Sequence, residues 1–161
     1  DVGMIEVRRA RLEEAPVLLE LILGLAEYEK LTPPDEEAQR RLVRDIFGPQ
    51  PRLEAWLAFV DGAPAGYALT LETYSSFLAL PTLYLEDIFV RPEFRGRGAG
   101  AAMFRRLVEE ARRRGCGRME WVVLDWNRPA LEFYERFGAQ RLSDWITMRL
   151  TQTDFDRILK E

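Results

Sequence analysis

Apolar and polar positions change period several times along the chain, and the changes mark out elements. Met4–Arg9 reads as a short strand. Leu18, Leu21, Ile22 and Leu25 recur at i, i+3, i+4 and i+7, which predicts one apolar helix face over Glu13–Glu29. Pro16 fits that helix only in its first turn. A second helix is expected over Glu36–Ile46 with Asp35 as its cap, before Phe47-Gly48-Pro49-Gln50-Pro51 breaks the chain. Leu53–Val60 and Ala65–Thr73 read as strands joined through the hairpin dipeptide Asp61-Gly62. A loop over Ser75–Pro81 and a strong strand over Thr82–Val90 follow. Gly98–Arg114 reads as a helix ended by Gly115, Arg118–Leu124 as a strand, and Asn127–Phe137 as a short helix stopped by Gly138. Ala139–Leu142 and Trp145–Leu150 read as two closing strands, and Thr153–Lys160 as a last helical turn or two. The order β-α-α-β-β-β-α-β-α-β-β predicts a mixed α/β fold with antiparallel hairpins first.

Composition narrows the chemistry. The 161 residues are 47% hydrophobic, which suits a single domain over 1–161 with its own core. Met4 reads as the natural start, making residues 1–3 an added remnant. The chain has no histidine, which removes imidazole bases, Ser-His-Asp and Cys-His catalysis and histidine metal sites. The one cysteine, Cys116, forms no intrachain disulfide and no cysteine-based zinc site, and it reads as a packing residue. No metal is expected. No apolar run reaches the roughly 18–20 residues of a membrane span, so no membrane partner is expected and the cytoplasm is the default.

The net charge of −4 is unevenly spread. Residues 91–118 carry nine Arg and three Glu inside an otherwise acidic chain. Such a local block suits a phosphate-bearing small molecule, whereas a nucleic-acid track needs a more basic domain overall. Arg105, Arg106, Arg112, Arg113 and Arg114 equally fit a solvated helix face.

The basic block begins with a strand running into Arg95-Gly96-Arg97-Gly98-Ala99-Gly100 and then a helix. Gly98 and Gly100 let backbone approach a ligand, and the helix start offers free N–H groups and a favourable dipole to an anion. This R-x-x-G-x-G turn lacks the Gly-Lys-Ser/Thr of a Walker loop and the last spacing of G-x-G-x-x-G. In the strand before it, regular alternation puts Tyr84, Glu86 and Ile88 on one face and Leu85, Asp87 and Phe89 on the other. Adjacent carboxylates at Glu86 and Asp87 are costly in an apolar strand unless solvated, functional, or re-aimed by a bulge. Downstream, Asn127 is a good helix cap with Pro129 in the first turn, and Ala130, Leu131, Tyr134 and Phe137 share a face. By pattern alone Tyr134 fits a core aromatic whose hydroxyl finds a partner.

The turn Arg95–Gly100 and the segment Asn127–Ala139 resemble two signature motifs of the GNAT (Gcn5-related) N-acetyltransferases. Leu25-Ala26-Glu27-Tyr28-Glu29, Tyr84-Leu85-Glu86-Asp87-Ile88-Phe89-Val90, Asp125-Trp126-Asn127 and Glu132–Ala139 resemble the spermidine/spermine (diamine) branch. The resemblance implies a mostly antiparallel central sheet, splayed in the middle and flanked by helices. It implies acetyl transfer from acetyl-CoA to a primary amine by direct attack, with no enzyme intermediate. It further implies that Arg95, Gly96, Arg97, Gly98, Ala99 and Gly100 wrap the pyrophosphate. Ile88 and Val90 would pair with the pantetheine arm, and Asn127 would hold it from the other side. The N–H groups of Ile88 and Phe89 would face the developing oxyanion, and Tyr134 would protonate the leaving thiolate. Glu86, through water, is the candidate base, with Asp87 as the alternate or as anchor for the cation. Tyr28, Glu29, Asp87, Asp144 and Trp145 are the expected amine-binding residues. Ser75 and Ser76 stand where polyamine enzymes carry an acidic residue, so lysine- or thialysine-like amines fit as well as polyamines. A peptide acetyltransferase or a non-catalytic acetyl-CoA-binding module are the alternatives. The resemblance also implies a homodimer, with Trp126 and Trp145–Leu150 as its contact.

Overall fold

A computed structural model describes residues 3–160; of the expected remnant, Asp1 and Val2 lie outside them. The chain forms two compact units, one up to Val122 and one from Val123 onward.

The first unit holds a sheet of five strands in sequential order. These are β1 (Ile5–Arg9), β2 (Glu54–Val60), β3 (Ala63–Ser75), β4 (Leu80–Val90) and β5 (Arg118–Glu120). The first four pair antiparallel and β5 joins β4 in parallel. Helices α1 (Ala15–Glu29) and α2 (Glu36–Phe47) lie between β1 and β2 in sequence, and α3 (Ala99–Arg113) follows β4. Asp35 caps α2 as expected, its Oδ1 accepting from the Ala38 N–H at 2.9 Å. Asp61 and Gly62 both take positive φ (50° and 82°), the geometry a two-residue hairpin requires.

The sheet has a different core on each face. Leu57, Tyr67, Leu69 and Phe89 pack with Leu18, Leu21 and Ile22 of α1 and Ile46 of α2. Trp56 points to the α3 side, where the Arg106 guanidinium lies 5.0 Å from its ring centroid. Trp56 is fully buried and its indole N–H donates to Thr70 Oγ1 at 2.9 Å, so its one polar atom is satisfied.

On α3 the basic block has a structural use. Glu110 is 2% exposed, and it accepts from Arg106 at 3.1 Å, from Arg114 at 2.7 Å and from Arg113. Arg114 also reaches Glu54 at 2.7 Å and Glu72 at 3.1 Å, tying α3 to β2 and β3. Of the five Arg residues read as a solvated face, these three instead neutralise carboxylates. Glu110 lies three or four positions from each of them, whereas the Glu54 and Glu72 partners of Arg114 come from distant strands that a local sequence pattern does not report.

Three expectations are corrected. The loop over Ser75–Pro81 shrinks to residues 76–79, because Ser75 closes a tight turn by accepting from Leu78 N–H (3.1 Å, through Oγ) and Ala79 N–H (2.8 Å, through its carbonyl). The hairpin strands therefore run on to Ser75 and from Leu80. Arg118–Leu124 keeps strand pairing only over Arg118–Glu120, opposite Thr82–Tyr84. The two closing strands do not form among the described residues. Trp145, Ile146, Met148 and Leu150 are exposed there, and a strand exists only where another strand accepts its hydrogen bonds.

The second unit carries α4 (Arg128–Arg136) and α5 (Gln152–Leu159). Asn127 caps α4, its Oδ1 accepting from Ala130 N–H at 3.3 Å, and Gly138 ends it with φ 91°. Arg141 reaches back to Glu135 through two 3.0 Å bonds. Thr151 and Asp154 cap α5.

Candidate active site

The site begins with one extra residue in β4. Leu69 pairs with Asp87 and Thr70 with Leu85, so Glu86 has no partner opposite it on β3 and forms a bulge. Cross-strand partners share a face. Leu85 therefore lies with Thr70 on the α3 side, while Asp87 lies with Leu69 and Phe89 with Tyr67 on the α1 side. Unbroken alternation had placed Leu85 with Asp87 and Phe89; the bulge separates them. Glu86 is exposed and Asp87 is half-buried.

Around Asp87 the first unit gathers acids and rings. The Tyr67 hydroxyl donates to Asp87 Oδ2 at 2.8 Å. Phe89 sits 6.5 Å from the Tyr67 ring and 6.4 Å from the Tyr28 ring, both tilted. Burial pushes the Asp87 carboxyl up to about 6, with the nearby Glu86 and Glu29 charges adding and the Tyr67 bond opposing. Burial also raises Glu29 above its ordinary value. The cluster is thus a partly dry, anionic patch beside aromatic faces, a setting for an organic cation. A shallow groove of about 400 Å³ opens between α1 and the end of β4, lined in part by Glu20, Gly24, Glu27, Tyr28, Phe89 and Arg91.

The glycine turn lies next in the chain. Gly96 and Gly98 have φ of 78° and 89°, which L side chains rarely adopt. Gly98 stands at the N-cap of α3 without a side-chain cap. The first N–H groups of the helix, at Ala99, Gly100 and Ala101, precede any intrahelical acceptor and can be offered to an anion. A Cβ on Gly96 would meet no atom within 4 Å, so the turn has room outside it. Arg95 donates to the Val90 carbonyl at 3.0 Å, and its guanidinium lies 4.9 Å from the Tyr28 ring centroid and 5.7 Å from that of Phe89. This turn fits a pyrophosphate. Upstream of it, among the described residues, no strand pairs with the β5-side edge of β4 beyond Tyr84. The backbone of Ile88 and Val90 belongs to that stretch.

Tyr134 and Asn127 are both buried in the second unit, seven positions apart on or capping α4, and so share a face. The Phe133 ring lies 5.3 Å from those of Tyr134 and Phe137. Asp144 and Trp145 are exposed residues of the same unit.

Residues 20–139 match the model of the Acetyltransferase (GNAT) family. The chain belongs to the GNAT acetyltransferases. It is 34% identical over 151 residues to thialysine N-epsilon-acetyltransferase of Bos taurus, covering 89% of this chain and 88% of that one. It is 32% identical over 159 residues to spermidine/spermine N(1)-acetyltransferase-like protein 1 of Homo sapiens, covering 92% of this chain and 23% of that one. An integron cassette protein from the mobile metagenome of V. cholerae shares the fold with a TM-score of 0.80 at 20% identity, over 99% of this chain and 100% of that one.

This acetyltransferase carries a site residue that sequence reasoning missed. Tyr67 gives no local signal, because its partner Asp87 lies 20 positions away and meets it only through β3–β4 pairing. Arg95 was expected at the phosphate turn, and its place over Tyr28 and Phe89 was not foreseen.

Proposed function

We propose that this acetyltransferase, working as a single domain over 1–161, moves the acetyl group of acetyl-CoA to the primary amine of a small cationic substrate. A polyamine, a diamine or a lysine- or thialysine-like amino acid all fit. The observation that carries this reading is the gathering of Glu29, Glu86 and Asp87 beside the Tyr28 and Phe89 rings, next in the chain to an anion-binding turn. The substrates named for the bovine and human relatives point the same way.

Acetyl-CoA supplies an activated acyl group and a thiolate leaving group. The residues do the rest. Arg95, Gly96, Arg97, Gly98, Ala99 and Gly100 hold the pyrophosphate, and the backbones of Ile88 and Val90, with Asn127, hold the arm. A primary ammonium has a pKa of about 10, so it must lose a proton before it can attack. Glu86, exposed on its bulge, takes that proton through a water molecule. Asp87 and Glu29 hold the substrate's cationic group, with Tyr28 beside them. Asp144 and Trp145 join the proposal as amine-binding residues on the resemblance of their segment to an acidic stretch ending in Trp. As the N–C bond forms and the C–S bond breaks, the N–H groups of Ile88 and Phe89 face the negative charge growing on the acyl oxygen. Tyr134 gives its proton to the departing sulfur, and the proton still in excess on the acylated nitrogen leaves through water to restore the Tyr134 hydroxyl. These steps call for no metal.

The exposed Trp126, Trp145, Ile146, Met148 and Leu150 support a homodimer closed over that apolar segment. The lone cysteine supports a cytoplasmic setting. No helix of the described residues is long and apolar enough to cross a membrane.

Incubation with acetyl-CoA and a panel of amines should release free thiol with polyamines or basic amino acids. Turnover on peptide N-termini alone would overturn the small-amine reading. Tyr134→Phe should lower kcat by about 100-fold or more and leave acetyl-CoA binding intact; unchanged kcat would remove Tyr134 from the mechanism.

A further inference from the structure

We propose that Tyr67 is a positioning residue: its hydroxyl fixes the Asp87 carboxylate in the orientation that grips the cationic amine. The inference rests on Asp87 being the counter-ion of that amine, as proposed above.

Tyr67 lies mid-strand in β3, wholly buried, with Leu57 opposite it on β2 and Phe89 opposite it on β4. A phenylalanine would fill the same space among Leu21, Leu57, Leu69 and Phe89. A hydroxyl in such a core is unfavourable unless it is hydrogen-bonded. It donates to Asp87 Oδ2 at 2.8 Å. The bond holds one carboxylate oxygen against the sheet and leaves Oδ1 as the oxygen an ammonium would meet. The unbroken pairs Tyr67–Phe89 and Leu69–Asp87 put Asp87 on the same face as Tyr67, and the bulge at Glu86 lets that face differ from the one Leu85 takes.

Three groups bear on the Asp87 charge: Tyr67 from β3, Glu86 beside it on β4, and Glu29 from α1. Both carboxylates oppose ionisation, as does burial, while the Tyr67 bond favours it. Tyr67 itself is pushed far above the ordinary tyrosine range by burial and by Asp87, so it remains a donor at every working pH. Asp87, at about 6, is then mostly ionised at pH 7. Without the hydroxyl its titration would move up toward neutrality, and the grip on a cation would weaken at physiological pH.

The test combines two measurements on the intact chain. Carboxyl carbon NMR follows the Asp87 titration in wild type and in Tyr67→Phe, without substrate. Steady-state kinetics with the best amine of the panel follow kcat/KM against pH. In Tyr67→Phe the Asp87 titration should rise by about one pH unit. The acid limb of kcat/KM for the amine should rise with it, chiefly through an amine KM several-fold higher at pH 6.5, with the KM for acetyl-CoA unmoved. Asp87→Asn should abolish that limb, and adding Tyr67→Phe to it should shift nothing further. Turnover with the titration and the acid limb unmoved in Tyr67→Phe would overturn the positioning role and leave the amine reading standing. A wild-type enzyme that acetylates no amine would overturn both. If Tyr67→Phe fails to fold, Asp87→Asn still decides: an acid limb that persists in it overturns the proposal.

Discussion

Replacing Glu110 by Gln tests whether the Arg cluster on α3 stabilises the fold. The change keeps the shape of a side chain that is 3% exposed and removes the charge that Arg113, Arg114 and Arg106 surround. Bonds from those guanidinium groups, Arg113 first, hold Glu110 well below the usual carboxylate range, at about 2 against 4.5. A depressed folded-state value stabilises the protein above pH 4.5 and loses that stabilisation as pH falls toward 2. The full shift would correspond to about 3 kcal/mol at neutral pH. Arg113 is 70% exposed and its share is screened by solvent, so a loss of about 2 kcal/mol is expected. In a chain of 161 residues that lowers Tm by roughly 4–8 °C. Urea unfolding at pH 7 and at pH 3 checks it: the gap between wild type and Glu110→Gln should be about 2 kcal/mol at pH 7 and should at least halve at pH 3. A gap below about 0.5 kcal/mol at pH 7, or one equally large at both pH values, would refute the reasoning.

Gly98→Ala places a side chain at φ 89°; its Cβ would meet Ile5 Cδ1 at an unstrained 3.6 Å, so the cost is backbone strain of about 1–2 kcal/mol. Weaker acetyl-CoA binding, measured by calorimetry, should accompany it as the turn reshapes. Glu86→Gln should lower kcat by about 100-fold with a smaller change in amine KM, read from initial rates across the panel. Trp145→Glu, at a position 77% exposed, should convert a dimer into a monomer by light scattering; a mass unchanged by the substitution would move the contact elsewhere.

Periodic and punctuated stretches were readable in the sequence. The α1 face, the Asp35 cap, the Asp61-Gly62 turn and the glycine turn all follow from neighbours within a few positions. What needed distant pairing was not readable. Arg114 looks like any solvated helix arginine until β2 and β3 bring Glu54 and Glu72 to it. Tyr67 looks like a core aromatic until β4 brings Asp87 to it. The apolar alternation over Trp145–Leu150 reads as a strand because sequence pattern reports a preference for pairing, and the described residues contain no partner strand for it. The adjacent acids Glu86 and Asp87 announced an irregularity, and the bulge is the form it takes.

That bulge gives β4 one position at which its length can change without a change of face. A point substitution at Glu86 alters one side chain. An in-frame loss of its codon would leave Leu85 opposite Thr70 and Asp87 opposite Leu69, the pairs they already make, now in an unbroken ladder. Every residue from Asp87 to Val90 would keep its side of the sheet. The chain could then fold, pass quality control and accumulate, with the cation-facing side of the sheet intact and the proposed base gone.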